Sequence, residues 1–250
     1  MEDRGEQQSR IEAISTRWTL LRKAHEGPSD TAVDARNALV LRYQPAVRRY
    51  VGALVRNDQE ADDLAQDVML RLLAGDFGGA DPDRGRFRDL LKVAIRNMVR
   101  NRWKQQKRRR AVDFDVAQVG ASPEEDEGRW LSEWRQSVLN LAWKAMEQKE
   151  QARPGSMHYT LLRLRIDCPN DTSEQLAVRL FEKLGQTVRA DAVRQKLRRA
   201  RLEFADLLIS EIAKGLRDPS PEKIEEELAA LGLIDLMREL LPADWKRSQR

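Results

Sequence analysis

The residues able to do chemistry in this chain are charged rather than nucleophilic. Residues 84–110 (RGRFRDLLKVAIRNMVRNRWKQQKRRR) hold twelve Lys or Arg and a single acid, Asp89. Within them Arg86, Arg96, Asn97, Arg100, Asn101, Arg102, Trp103 and Lys104 form a set suited to a nucleic-acid strand: cations for phosphates, amides for base edges, an indole for stacking. A second basic run, Arg194, Gln195, Lys196, Arg198, Arg199 and Arg201, has the composition of a helix that reads a major groove. A third group has the opposite sign. Asp62, Asp63, Gln66 and Asp67 lie opposite an apolar stripe, and by themselves they read as a solvated acidic face. Asp63 and Asp67 share a helix face, but no further metal ligand stands near them in the sequence, so a metal-dependent nuclease is a poor reading. No Ser/His/Asp, Cys/His or phosphate-loop arrangement is present, and the expectation is a protein that is not an enzyme and needs no cofactor.

These groups need helices to position them. Phe87, Leu90, Leu91, Ala94, Ile95, Met98 and Val99 fall at i, i+3, i+4, i+7, i+8, i+11 and i+12, an apolar stripe that leaves the cations on the other face. Ala61, Leu64, Ala65, Val68, Met69, Leu72 and Leu73 repeat the pattern behind the acidic face. Asn57-Asp58-Gln59-Glu60 reads as its N-terminal cap. Ahead of it a helix carries Leu39, Tyr43, Val47, Tyr50, Val51 and Leu54, with Pro45 expected to bend or divide it. Further on, Thr172-Ser173-Glu174-Gln175 reads as a capping box before Leu176, Leu180 and Leu184, and Gly185 as the residue that ends that helix. A second helix follows from about Ala190, with Val193, Leu197, Ala200, Phe204, Leu207 and Leu208 inward. The pair makes a helix-turn-helix. Ser220-Pro221-Glu222 opens a last amphipathic segment through Ile224, Leu228, Leu231, Ile234, Met237 and Leu241, which Pro242 stops.

Composition bounds the rest. The chain has 250 residues, 41% hydrophobic and 34% charged, with a formal net charge of +4. Few β-branched runs and many Arg, Leu, Ala and Glu predict an all-α fold. Cys168 is the one cysteine, so no internal disulfide forms, and His25 and His158 stand far apart. A polar amino terminus and the lack of any long apolar run predict a cytoplasmic chain with no membrane span. Residues 111–127 hold six carboxylates and no base. They read as an acidic linker between two small helical domains. The expected layout is an N-terminal extension over 1–32, a first domain over 33–110, the linker over 111–128, a helix-turn-helix domain over 129–215 and a C-terminal extension over 216–250.

The segments AVRRYVGALVRNDQEADDLAQDVMLRLL and FRDLLKVAIRNMVRNRWKQQKR resemble region 2 of the extracytoplasmic-function sigma factors of bacterial RNA polymerase. EQLAVRL through AVRQKLRRARLEFADLL looks like region 4 of the same family, with a longer turn than that family's and with Arg198 where an aromatic residue or His is common. The resemblance implies roles. Asp62, Asp63, Gln66 and Asp67 would dock on the clamp coiled coil of core RNA polymerase. Arg86, Arg96, Asn97, Arg100, Asn101, Arg102, Trp103 and Lys104 would hold the melted −10 strand, with loop 75–86 taking a flipped base. Arg194, Gln195, Lys196, Arg198 and Arg199 would read the −35 element. The partners implied are core RNA polymerase (clamp and flap) and promoter DNA, with room for an anti-sigma factor or another regulator. Two rivals remain: a stand-alone helix-turn-helix regulator, and an Arg-rich protein that binds RNA electrostatically.

Overall fold

A computed structural model describes residues 30–55, 57–74, 86–110, 123–153, 155–216 and 218–240. The expected helix around Ile11, Ile14, Trp18 and Leu21, the loop 75–85 and the linker residues 111–122 lie outside that set. Every regular element among the described residues is an α-helix: α1 Asp30–Leu54, α2 Asp58–Ala74, α3 Phe87–Arg110, α4 Pro123–Ala152, α5 His158–Asp167, α6 Ser173–Leu184, α7 Ala190–Ala213, α8 Pro221–Ala230 and α9 Ile234–Leu240. The all-α expectation is met.

The chain forms two compact units. Among the described residues the first comprises 30–137 and 212–231, the second 138–211 and 232–240. These divisions differ from the expected layout. The first unit takes in the start of α4 and the whole of α8, which the sequence reading had placed beyond it.

In the first unit, α1, α2 and α3 bury the stripes that their sequences predict: Leu39, Tyr43, Val47 and Tyr50 from α1, Leu64, Val68 and Leu72 from α2, Phe87, Leu91 and Ile95 from α3. Pro45 neither breaks nor divides α1, which is continuous from Asp30 to Leu54. The amide that proline lacks would have bonded to the carbonyl of Leu41, whose side chain is 72% exposed, so that carbonyl stands on a turn facing water. Asn57 caps α2, its Oδ1 accepting from the Glu60 amide at 3.0 Å.

The aromatic residues explain why the start of α4 belongs here. Trp130 and Trp134, one turn apart, meet Tyr50 and Tyr43, two turns apart on α1. The Tyr43 and Trp134 rings stack at 5.5 Å, Tyr50 and Trp130 lie 4.9 Å apart, and Phe87 sits 5.0 Å from Tyr43. Such pairs each add about 0.5–1.5 kcal/mol beyond the area they bury. The expected linker is therefore helical in its last six residues, 123–128, and Asp126 is buried rather than solvated.

In the second unit, Trp143 packs on Phe204 at 4.3 Å and carries the Arg163 guanidinium over its ring at 4.2 Å. The capping box of α6 forms as its sequence predicts, Thr172 and Gln175 bonding each other's backbone amides. Gly185 closes α6 at φ 66°, the left-handed conformation in which glycine carries no Cβ penalty. The C-terminal segment is two helices rather than one. Gly232, at φ 64°, ends the run after Leu231, a break that apolar spacing through Leu241 does not register. Ser220 caps α8 with Pro221 at its first turn, as expected.

Candidate nucleic-acid interface

Helix α3 is two surfaces end to end. Over its first half and the residue before it, the cations are already engaged. Arg88 is 4% exposed, and its Nε donates to Glu227 Oε1 at 2.8 Å. Arg86 Nε reaches the other oxygen of Glu227 at 3.0 Å, and Glu226 lies 3.8 Å from Arg86 Nη2. One turn on from Arg88, Lys92 is 7% exposed and pairs with Glu127 and with Asp126, the latter at 3.3 Å. A further turn on, Arg96 Nη1 stands 3.4 Å from Asp126. Arg88, Lys92 and Arg96 are spaced by four, so they line one edge of the helix facing the carboxylates of α4 and α8.

Asp126 is the hinge of this network. One oxygen accepts from the buried Tyr50 hydroxyl at 2.7 Å. The other takes its compensation from Lys92 and Arg96 without an in-line hydrogen bond. Burial first, and then the bond to Asp126, push the Tyr50 phenol well above its ordinary value, so it remains a donor throughout the working range.

The second half of α3 is open. Asn97, Arg100, Asn101 and Lys104 are exposed. Arg100 donates to Asn97 at 2.8 Å, which presents guanidinium and amide together. Trp103 and Arg102 are half-buried, and Arg102 lies 3.7 Å from Glu60. Of the residues expected to touch a nucleic-acid strand, the structure thus groups Asn97, Arg100, Asn101, Trp103 and Lys104 on an accessible stretch. It commits Arg86 and Arg96 to carboxylates of the same chain. Sequence spacing carries no sign of that commitment, because Glu227 is 139 positions from Arg88.

The acidic face of α2 is presented as expected, with one addition. Asp62, Asp63, Gln66 and Asp67 are all exposed. Asp62 is bonded to Arg48, which also reaches Asp58 at 3.1 Å. Arg48 crosses the space where a Cβ on Gly52 would stand, 2.7 Å from its Nη1. Asp63, Gln66, Asp67 and Leu70 fall at i, i+3, i+4 and i+7, and Leu70 is 63% exposed. The sequence reading missed Leu70. The signal was there, since an apolar residue off the buried stripe Ala61–Leu64–Ala65–Val68–Met69–Leu72 must face outward. Among the described residues no group of three or more His, Cys, Asp or Glu could hold a metal ion, and no helix is long and apolar enough to cross a membrane.

In the α6–α7 pair, Arg194, Gln195, Arg198 and Arg199 are exposed along α7. Lys196 is not available in the same way: its ammonium donates to the backbone carbonyls of Gly155 at 3.0 Å and Ser156 at 3.3 Å. Five residues, 185–189, separate α6 from α7. Nearby, the His158 ring bonds Glu203 at 2.5 Å and Lys149 lies 3.3 Å from the same carboxylate. Burial works to raise the Glu203 carboxyl, but the bonds from His158 and Lys149 outweigh it and hold the group below its ordinary value.

Comparison with known proteins bears on the first unit. No curated protein and no solved structure gives a match to the chain. Residues 39–109, well under half of the chain, match the family model for Sigma-70 region 2, and so α1 from Leu39, α2 and nearly all of α3 are similar to that region.

Proposed function

We propose that this protein is a sigma factor of the extracytoplasmic-function type. It docks on core RNA polymerase through the exposed face of α2 and directs the polymerase to promoters. The observation that carries this reading is the Sigma-70 region 2 match over residues 39–109, which spans the acidic face and the basic helix as one module. In this reading Asp63, Gln66 and Asp67 pair with a basic coiled coil of the polymerase, and Leu70 supplies an apolar contact one turn beyond them. Asn97, Arg100, Asn101, Trp103 and Lys104 hold the melted −10 strand, where stacking and phosphate contacts offset the cost of unstacking bases. Arg194, Gln195, Arg198 and Arg199 contact the −35 duplex, with Lys196 bracing α7 against its own unit. The chemistry of transcription stays with the polymerase, and the compartment is the cytoplasm.

Run-off transcription with core polymerase and genomic templates tests the reading. The wild-type chain should give promoter-specific transcripts, and Asp63→Arg with Gln66→Ala should abolish them. A second reading, a helix-turn-helix regulator acting without polymerase, draws on the exposed Arg194, Gln195, Arg198 and Arg199. It would be favoured if the chain bound duplex operators tightly alone and produced no transcripts with core.

A further inference from the structure

We propose that α8 forms a removable cover on the start of the basic helix, its carboxylates occupying cation sites that nucleic-acid phosphates take when a strand binds. The proposal rests on reading α3 as the nucleic-acid surface and adds regulation of that surface from within the chain.

The contacts have the geometry of phosphate capture. Arg88 addresses both oxygens of Glu227, Nε to Oε1 at 2.8 Å and Nη2 to Oε2 at 3.4 Å. Arg86 adds a third guanidinium contact at 3.0 Å. A guanidinium fork accepts carboxylate and phosphate oxygens in the same two-bond arrangement, so one can replace the other without rebuilding the site. Further along the same edge Lys92 and Arg96 face Glu127 and Asp126 of α4 in single ion pairs. The carboxylates therefore follow the helix edge as a strand backbone would, continuous with the open stretch that begins at Asn97.

Helix α8 is also built to leave. It has ten residues, shorter than helices that stand alone in water, so its docking depends on what it touches. Its apolar anchor is small: Ile224 and Leu228, with Leu231 just beyond its end. Glu227 is 4% exposed between two arginines, and an ion pair taken out of water returns little net stability. A strand that offers several phosphates and releases its counterions competes on favourable terms. The cover over Arg86 and Arg88 is thus the replaceable part, while Trp130 and Trp134 hold α4 in place.

The test uses the full-length chain and a fluorescein-labelled single-stranded thymidine oligonucleotide. Anisotropy titrations compare wild type with Glu227→Gln, which keeps the side-chain volume, and with Glu226→Gln, an exposed position whose replacement leaves the fold intact. Hydrogen exchange of residues 221–230 is followed with and without the oligonucleotide. The expected results are affinity roughly tenfold tighter for Glu227→Gln at moderate salt, a smaller gain of the same sign for Glu226→Gln, and faster exchange of 221–230 in wild type when the oligonucleotide binds. Unchanged or weaker binding in both variants overturns the proposal. So does tighter binding with no change in exchange at 221–230, because loss of negative charge alone would produce it. Core polymerase takes no part in this experiment. A chain that releases α8 to the oligonucleotide yet never binds core would remove the sigma reading and leave the cover standing.

Discussion

The two halves of α3 share one helix and a net positive charge, yet they differ in what their charges do. From Arg86 to Arg96 each cation faces a carboxylate from elsewhere in the chain, and Arg88 and Lys92 are buried. From Asn97 to Lys104 the polar side chains face outward or lie half-buried. Charge density along a sequence therefore does not measure the charge that a surface offers. What decides is whether a partner of opposite sign packs on the same edge, and here α4 and α8 supply it only to the first half.

The largest expected effect separates the halves by stability. Asp126→Ala removes the acceptor of Tyr50 and the counter-charge of Lys92 and Arg96 at a buried site, and should cost about 3–5 kcal/mol in urea unfolding. Arg100→Ala, on the exposed half, should stay within about 0.5 kcal/mol in the same assay. If the two cost the same, the division of α3 is wrong.

Trp103 sharpens the comparison next. Its alanine variant should weaken binding of a melted −10 strand by about 1–3 kcal/mol, as loss of a stacking platform does. A fall in thermal stability with strand affinity intact would instead make Trp103 an ordinary packing residue. A smaller effect follows for Arg100→Ala on nucleic acid: binding should weaken across sequences, with the salt slope of log K reduced by about 1. Arg88→Ala, by contrast, should leave the slope of the free chain unchanged while the cover is closed.

The smallest effect lies in the other unit, where a paired carboxylate acts on pH dependence alone. Because the folded-state value of Glu203 is depressed, its contribution to stability is complete above the ordinary value of 4.5 and is lost as pH falls through the lower folded value. Stability measured down that range should decline more gently in Glu203→Gln than in wild type.

Local signals were legible in the sequence and tertiary ones were not. The stripes of α2 and α3, the Thr172–Gln175 capping box, the Gly185 terminus and the Ser220–Pro221 start are written in neighbouring residues, and each formed where its spacing put it. The acidic face of α2 was equally legible, apart from Leu70. The partnership of Arg88 with Glu227 was not, because nothing in periodicity says which distant helix will dock. The same limit explains residues 123–134. Their acids read as linker and their tryptophans as the next domain, whereas Asp126 and Trp130 together complete the first unit's core. Gly232 was a third miss, since apolar spacing carried across it while its left-handed backbone ended the helix.

The central claim is that the α2 face belongs to RNA polymerase. Its most direct test is a binding competition in which the labelled chain is titrated with purified bacterial core enzyme, for wild type and for Leu70→Ala and Asp63→Arg. The account predicts a saturable one-to-one complex for wild type, weakened by Leu70→Ala and abolished by Asp63→Arg, with the helix content of both variants unchanged. Wild-type chain that fails to bind core, or Asp63→Arg that binds as well as wild type, would contradict it.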